Sequence, residues 1–229
     1  MDQRLSVALL LLGLTVLVDG QTVAAPFTGN ITRNGCGATK FCIETPTGCD
    51  PASGGNCLFA STAIDTTSTT GISFNLQGNS SGYIAAILTT ADNNSMGDAF
   101  VCAQNASDTL FYRALYSSNG SSLSPQILNN AVGNITGTTM NNVIKCAFIV
   151  RNLTRSRALA QYSISLAVGS LVNGQLGTAT LRVQSNGTVN LLNTNSTNTT
   201  APSGGNRPAF VAMHGLLVLV AGLLVGVQF

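Results

Sequence analysis

Tryptophan is absent from this 229-residue chain, histidine occurs once, and charged side chains make up only 8% of the residues. Each scarcity excludes a class of function. A Ser-His-Asp nucleophile needs an imidazole base beside its serine, and the one histidine, His214, sits in an apolar run near the C-terminus. Ten Lys and Arg stand against eight Asp and Glu, a formal net charge of +2 with no Lys/Arg block behind it. That balance points away from nucleic acid and from a polybasic membrane contact. No Gly-rich phosphate loop is followed by Lys, and no carboxylate pair stands out. Enzyme activity of the isolated chain is therefore not expected.

A typical soluble domain carries roughly 25% charged residues, so something else must keep this surface wet. The sequence supplies Asn-x-Ser/Thr at Asn30, Asn79, Asn93, Asn105, Asn119, Asn134, Asn152, Asn186, Asn195 and Asn198. In a secreted chain each is a candidate for a bulky, solubilising glycan.

The ends say that the chain is secreted. Arg4 precedes an apolar run from Leu5 to Val18, and Val18-Asp19-Gly20 offers a small-residue cleavage site, which reads as a signal peptide over 1–20. The run is shorter than the ~20 residues that cross a bilayer. From Ala209 to Phe229 the chain is apolar again and carries no Lys or Arg stop-transfer group. Ser203, Gly204 and Gly205 precede it, with a polar spacer at Asn206 and Arg207. This order is the signal for a glycosylphosphatidylinositol anchor, attached at Ser203 or Gly204, with residues 208–229 removed. A retained single-pass helix is the alternative. The expected place is the outer leaflet of the plasma membrane, the membrane being reached through the lipid.

Between the ends, period-two alternation predicts strands. Ile72, Phe74 and Leu76 share one face, as do Leu110, Tyr112, Ala114 and Tyr116, and as do Tyr162, Ile164, Leu166 and Val168. The runs at 82–90 and 143–150 are apolar on both faces and suit central strands. Clusters such as "YSSNGSS" and "VNGQLG" punctuate the runs as turns, and no window keeps a helical period. The prediction is an all-β, antiparallel, immunoglobulin-like two-sheet sandwich over 35–185, after an N-terminal segment at 21–34. An Asn/Thr-rich glycosylated stalk at 186–207 buries too little apolar surface to fold.

Six cysteines in an oxidising compartment read as disulfides. Cys36, Cys42, Cys49 and Cys57 are separated by 5, 6 and 7 residues, a spacing that fits neither the zinc pattern nor a redox C-x-x-C. Cys102 shares a face with Phe100, and Cys146 with Ile144 and Phe148, so both point into apolar space and are predicted to pair. The early four then pair among themselves, in a connectivity that spacing leaves open.

Several motifs occur in order: Cys36-Gly37-Ala38-Thr39-Lys40-Phe41-Cys42; Pro46, Cys49, Pro51 and Cys57-Leu58-Phe59; Gly82-Tyr83-Ile84-Ala85-Ala86; Met96-Gly97-Asp98 and Cys102; Val143-Ile144-Lys145-Cys146-Ala147-Phe148. Together they resemble the DOMON domain of the ferric-chelate reductase and stromal-cell-derived-receptor family. The resemblance implies a β-sandwich related to haem-b cytochrome domains, in which a loop methionine and a late histidine are axial ligands. Met96 matches that methionine. No histidine stands where its partner belongs, and the chain shows no multi-helix cytochrome module.

These readings lead to a binding or accessory module without haem, whose partner is a membrane or extracellular protein or a small apolar or sugar-like ligand. In this reading Met96 is a pocket-lining side chain, Asp98 serves a strand start or turn, and Tyr83, Tyr112 and Tyr162 are core or interface aromatics. The alternative is a haem-b electron-transfer domain that contributes to ferric-chelate reduction.

Overall fold

The computed structural model describes residues 20–65, 71–90, 93–106, 108–129, 131–151, 153, 161–191 and 199–200. The signal and anchor segments with Ser203, Gly204 and His214, and the sequons Asn152, Asn195 and Asn198, lie outside them.

In chain order the strands are β1 (Gln21–Val23), β2 (Ala25–Pro26), β3 (Phe41–Thr45), β4 (Leu58–Ile64), β5 (Gly71–Asn79), β6 (Tyr83–Thr90), β7 (Asn93–Asn105) and β8 (Asp108–Ser117). They continue with β9 (Ser122–Gln126), β10 (Val132–Met140), β11 (Val143–Arg151), β12 (Gln161–Gly169), β13 (Leu171–Val172) and β14 (Gln175–Leu176). β15 (Thr180–Ser185), β16 (Val189–Asn190) and β17 (Thr199–Thr200) follow.

Two sheets form the sandwich. Sheet A runs β1-β8-β7-β6-β12-β15-β17, with β9 also on β8 and β16 also on β12; sheet B runs β2-β10-β11-β5-β4-β3. Among the described strands of these two sheets, β2 with β10 is the parallel pair. The turns explain the tight hairpins. Asn141 and Asn142, and Asn173 and Gly174, all have positive φ, as the two-residue type I′ connection requires.

The alternation seen in sequence sets the inter-sheet core. Ile72, Phe74 and Leu76 of β5 and Ile144, Cys146, Phe148 and Val150 of β11 face Ile84, Ala86 and Leu88 of β6, Phe100 and Cys102 of β7, and Ile164 and Leu166 of β12. Phe148 is the hub: its ring lies 5.2 Å from Phe74, 5.3 Å from Phe100 and 4.8 Å from Phe111, centre to centre. A disulfide joins Cys102 to Cys146 through this layer and so ties one sheet to the other.

Three features differ from the sequence reading. β11 is buried on its inner face and half-exposed on the other, because the apolar Val143 and Ile149 stand on a sheet face that no other layer fully covers. Leu110, Tyr112, Ala114 and Tyr116 do share a face, but it is the outer face of sheet A, while Phe111 enters the main core. The sandwich also extends beyond 35–185. β1 pairs with β8, β2 with β10 and β16 with β12, and Val189 and Leu191 are buried in the core.

That outer face of sheet A forms a second apolar layer. Ala85, Ala99, Ala103, Ala114 and Ala167 keep it low, and Leu171 and Leu176 of the β13–β14 hairpin pack on it. The Tyr83 hydroxyl donates to the Gly177 carbonyl at 2.8 Å and the Tyr112 hydroxyl to that of Gly174 at 3.4 Å. Small side chains let the hairpin backbone come close, and two phenols fasten it.

Candidate functional site

One end of the sandwich opens between the sheets. Even-numbered residues of β7 face inward, so the row Cys102, Phe100 ends in Asp98 and Met96 beyond the aromatic core. By the same parity Arg113 and Leu115 extend the row of Phe111 on β8, and Tyr162 extends that of Ile164 on β12. Two cavities meet here. One, of about 340 Å³, is lined by Leu88, Thr90, Asn93, Met96, Gly97, Asp98, Leu115 and Tyr162. The other, of about 200 Å³, shares Asp98 and Tyr162 and reaches Val132, Val150 and Leu153 on the side of sheet B.

One ion pair stands in this cleft. Arg113 Nη2 donates to Asp98 Oδ1 at 2.9 Å, with both side chains partly exposed, a setting in which such a pair contributes at most about 1 kcal/mol. Arg151 also lines the smaller cavity, with its guanidinium against the glycine of β10: a Cβ on Gly133 would stand 2.7 Å from its Nη1. The larger cavity has Leu88, Leu115 and Tyr162 on its walls and polar side chains, Thr90, Asn93 and Asp98, around them. The Tyr162 hydroxyl donates to the Leu153 carbonyl at 3.1 Å and pins the wall.

Met96 is the fourth residue of strand β7 instead of sitting on a loop, and it is 42% exposed at the mouth. Among the described residues its neighbours offer no imidazole, and every described cysteine is in a disulfide. The phenol that lines the same cavity, Tyr162, is already committed to a carbonyl. Among the described residues the cleft thus offers one exposed thioether, where a haem held by two axial side chains needs a second donor.

A larger cavity, about 470 Å³, lies at the opposite end between Thr45, Pro46, Asn56, Leu58, Asn79, Val168 and Arg182. It has more room but brings together no acid with its base. Volume alone does not make it the better site.

The early cysteines build a separate knot on the outer face of sheet B. Cys36 bonds Cys42, and Cys49 bonds Cys57. Arg33 donates to the buried Glu44 at 2.7 Å, and its backbone N–H donates to Asp50 at 3.2 Å. Lys40 donates to the Thr32 carbonyl at 2.7 Å, and burial lowers its pKa while Asp50 opposes that shift. These contacts pin 31–57 to the sheet.

All seven described sequon asparagines, Asn30, Asn79, Asn93, Asn105, Asn119, Asn134 and Asn186, are exposed. Sequence reasoning missed the partner of Asp98, because Arg113 meets it only through the β7–β8 register. It also missed Tyr162 as a cleft wall; the signal was its position at the polar end of the row Ile164, Leu166.

No family model matches the chain. A search of known proteins finds "Putative ferric-chelate reductase 1" of Danio rerio, 30% identical over 198 residues, which is 84% of this chain and 33% of the relative. The chain thus spans about a third of that relative's length. Among solved structures, the cytochrome domain of Myriococcum thermophilum cellobiose dehydrogenase aligns over 62% of this chain and 78% of its own, with 12% identity and a TM-score of 0.39. At that score the superposition is too loose to carry over a ligand position. The sandwich and the 30% identity along 84% of the chain agree with the DOMON resemblance of its motifs and relate it to a third of that putative ferric-chelate reductase.

Proposed function

We propose that the chain is a cell-surface, N-glycosylated, lipid-anchored module whose DOMON sandwich binds a small ligand or a neighbouring protein and performs no chemistry alone. The observation that carries this reading is the cleft between the sheets. It has apolar walls in Leu88, Leu115 and Tyr162, a self-neutralised Asp98–Arg113 pair, and a lone thioether in place of a paired ligand set. Such a cavity suits an uncharged, sugar-like or apolar group.

The second reading is electron transfer through haem b in support of ferric-chelate reduction. Met96 favours it by lining the cleft. A visible spectrum of the full chain, purified from haem-supplied cells, separates the two. The binding-module reading expects no Soret band; a band that disappears in Met96→Ala would replace it with the redox reading.

The anchor is tested apart. Phosphatidylinositol-specific phospholipase should release the protein from intact cells, and retention at the surface would favour the single-pass helix.

A further inference from the structure

The mouth of the cleft contains a modification signal. Asn93-Asn94-Ser95 is a sequon, Asn93 is exposed, and it lines the cavity beside Met96. Its side chain is already oriented. Oδ1 accepts from Ser95 Oγ at 2.9 Å and from the Met96 N–H at 3.2 Å. Nδ2, the atom a glycan would occupy, takes part in neither bond. Asn79, the sequon residue in the other large cavity, differs: its Nδ2 donates to Asn56.

The walls next to Asn93 suit a sugar. A pyranose ring has an apolar face and a polar rim, and it meets here the aromatic and aliphatic surfaces of Tyr162, Leu88 and Leu115 with the Asp98–Arg113 pair at their edge. We propose that an N-glycan on Asn93 lays its core sugars across the cleft mouth, over Met96, so that glycan processing sets access to the cleft. This rests on the reading of the chain as a secreted glycoprotein with a binding cleft.

The test uses methionine oxidation as a ruler of access, since thioether oxidation follows exposure. Met140, 71% exposed at the β10–β11 turn, stands at the far end of the sandwich and serves as the internal reference. Full-length protein from secreting cells is treated with dilute hydrogen peroxide, and sulfoxide at Met96 and Met140 is followed by peptide mass spectrometry. The same map reports whether Asn93 carries sugar. The comparison forms are Asn93→Gln, Ser95→Ala, and folded native protein trimmed by endoglycosidase to single sugars, which alters no side chain.

The expected result is an occupied Asn93 and a Met96/Met140 oxidation ratio that rises severalfold in both variants and on trimming. An occupied Asn93 with an unchanged ratio overturns the seating while leaving the glycoprotein reading intact. An unmodified Asn93 in the secreted protein, with sugar on the other sequons, overturns the proposal at its premise. Sugar on none of them overturns the glycoprotein reading itself.

Discussion

Sheet A has two apolar faces, and they are built by different means. Its inner face meets a second sheet through large rings, with Phe148 of sheet B touching Phe100 and Phe111, and a disulfide crosses between. Its outer face is paved with alanines and meets a short hairpin held by two tyrosine hydroxyls. The first arrangement relies on filled volume, which is non-directional and large. The second relies on close approach and on a few directed bonds. A sheet can thus be buried twice without a second full layer, provided one face is low enough.

That contrast can be broken most severely at the ring hub. Phe148→Ala should cost about 3–5 kcal/mol, read as a loss in global unfolding free energy by denaturant titration. Across the sheet, Gly169→Ala puts a Cβ onto Cζ and Oη of Tyr83, so the ring or the strand must move. A loss of about 1–3 kcal/mol is expected for such overpacking, with hydrogen exchange rising first in 170–179.

Tyr83→Phe keeps the ring and removes the bond to Gly177, so about 1 kcal/mol should go. Exchange in the hairpin should again accelerate while the Phe148 layer stays protected; equal acceleration in both would end the distinction between the faces.

The mildest perturbation is alkali. Burial raises the Tyr83 phenol from 10.0 to about 12, so the fold holds its neutral form. Below pH 10 the phenol is protonated whether folded or unfolded, and its contribution is complete. As pH climbs from 10 toward 12 the unfolded chain ionises first and that contribution is lost. The midpoint of thermal unfolding should fall through this window, less so in Tyr83→Phe.

Much of this was legible in the sequence, for reasons that residues make plain. Alternation at Ile72-Phe74-Leu76 and Tyr162-Ile164-Leu166 reports which side chains share a face, because a strand's period is two. The same rule set Cys102 and Cys146 on inward faces. It could not say what covers a face. Leu110, Tyr112, Ala114 and Tyr116 look like any core row, and the hairpin above them offers only Leu171, Val172, Gln175 and Leu176, too short a pattern to read. β1 and β16 escaped for the same reason: three and two residues hold no period, and only pairing with longer strands makes them strands.

The cleft was less legible than the core. Met96 and Asp98 could be singled out, but the Asp98–Arg113 pair depends on which residues of β7 and β8 lie abreast. Register is a property of two strands together.

The bond between Cys102 and Cys146 has a mechanical consequence. When the domain is pulled through its two ends, tension passes across the sulfurs and skips the chain between them, a sequence separation of 44. At roughly 3.4 Å per residue, about 150 Å of slack stays locked away until the bond is reduced. β8, β9 and β10 lie within that loop, so the extension curve of the oxidised domain should fall short by about that length of one in which this bond alone is opened.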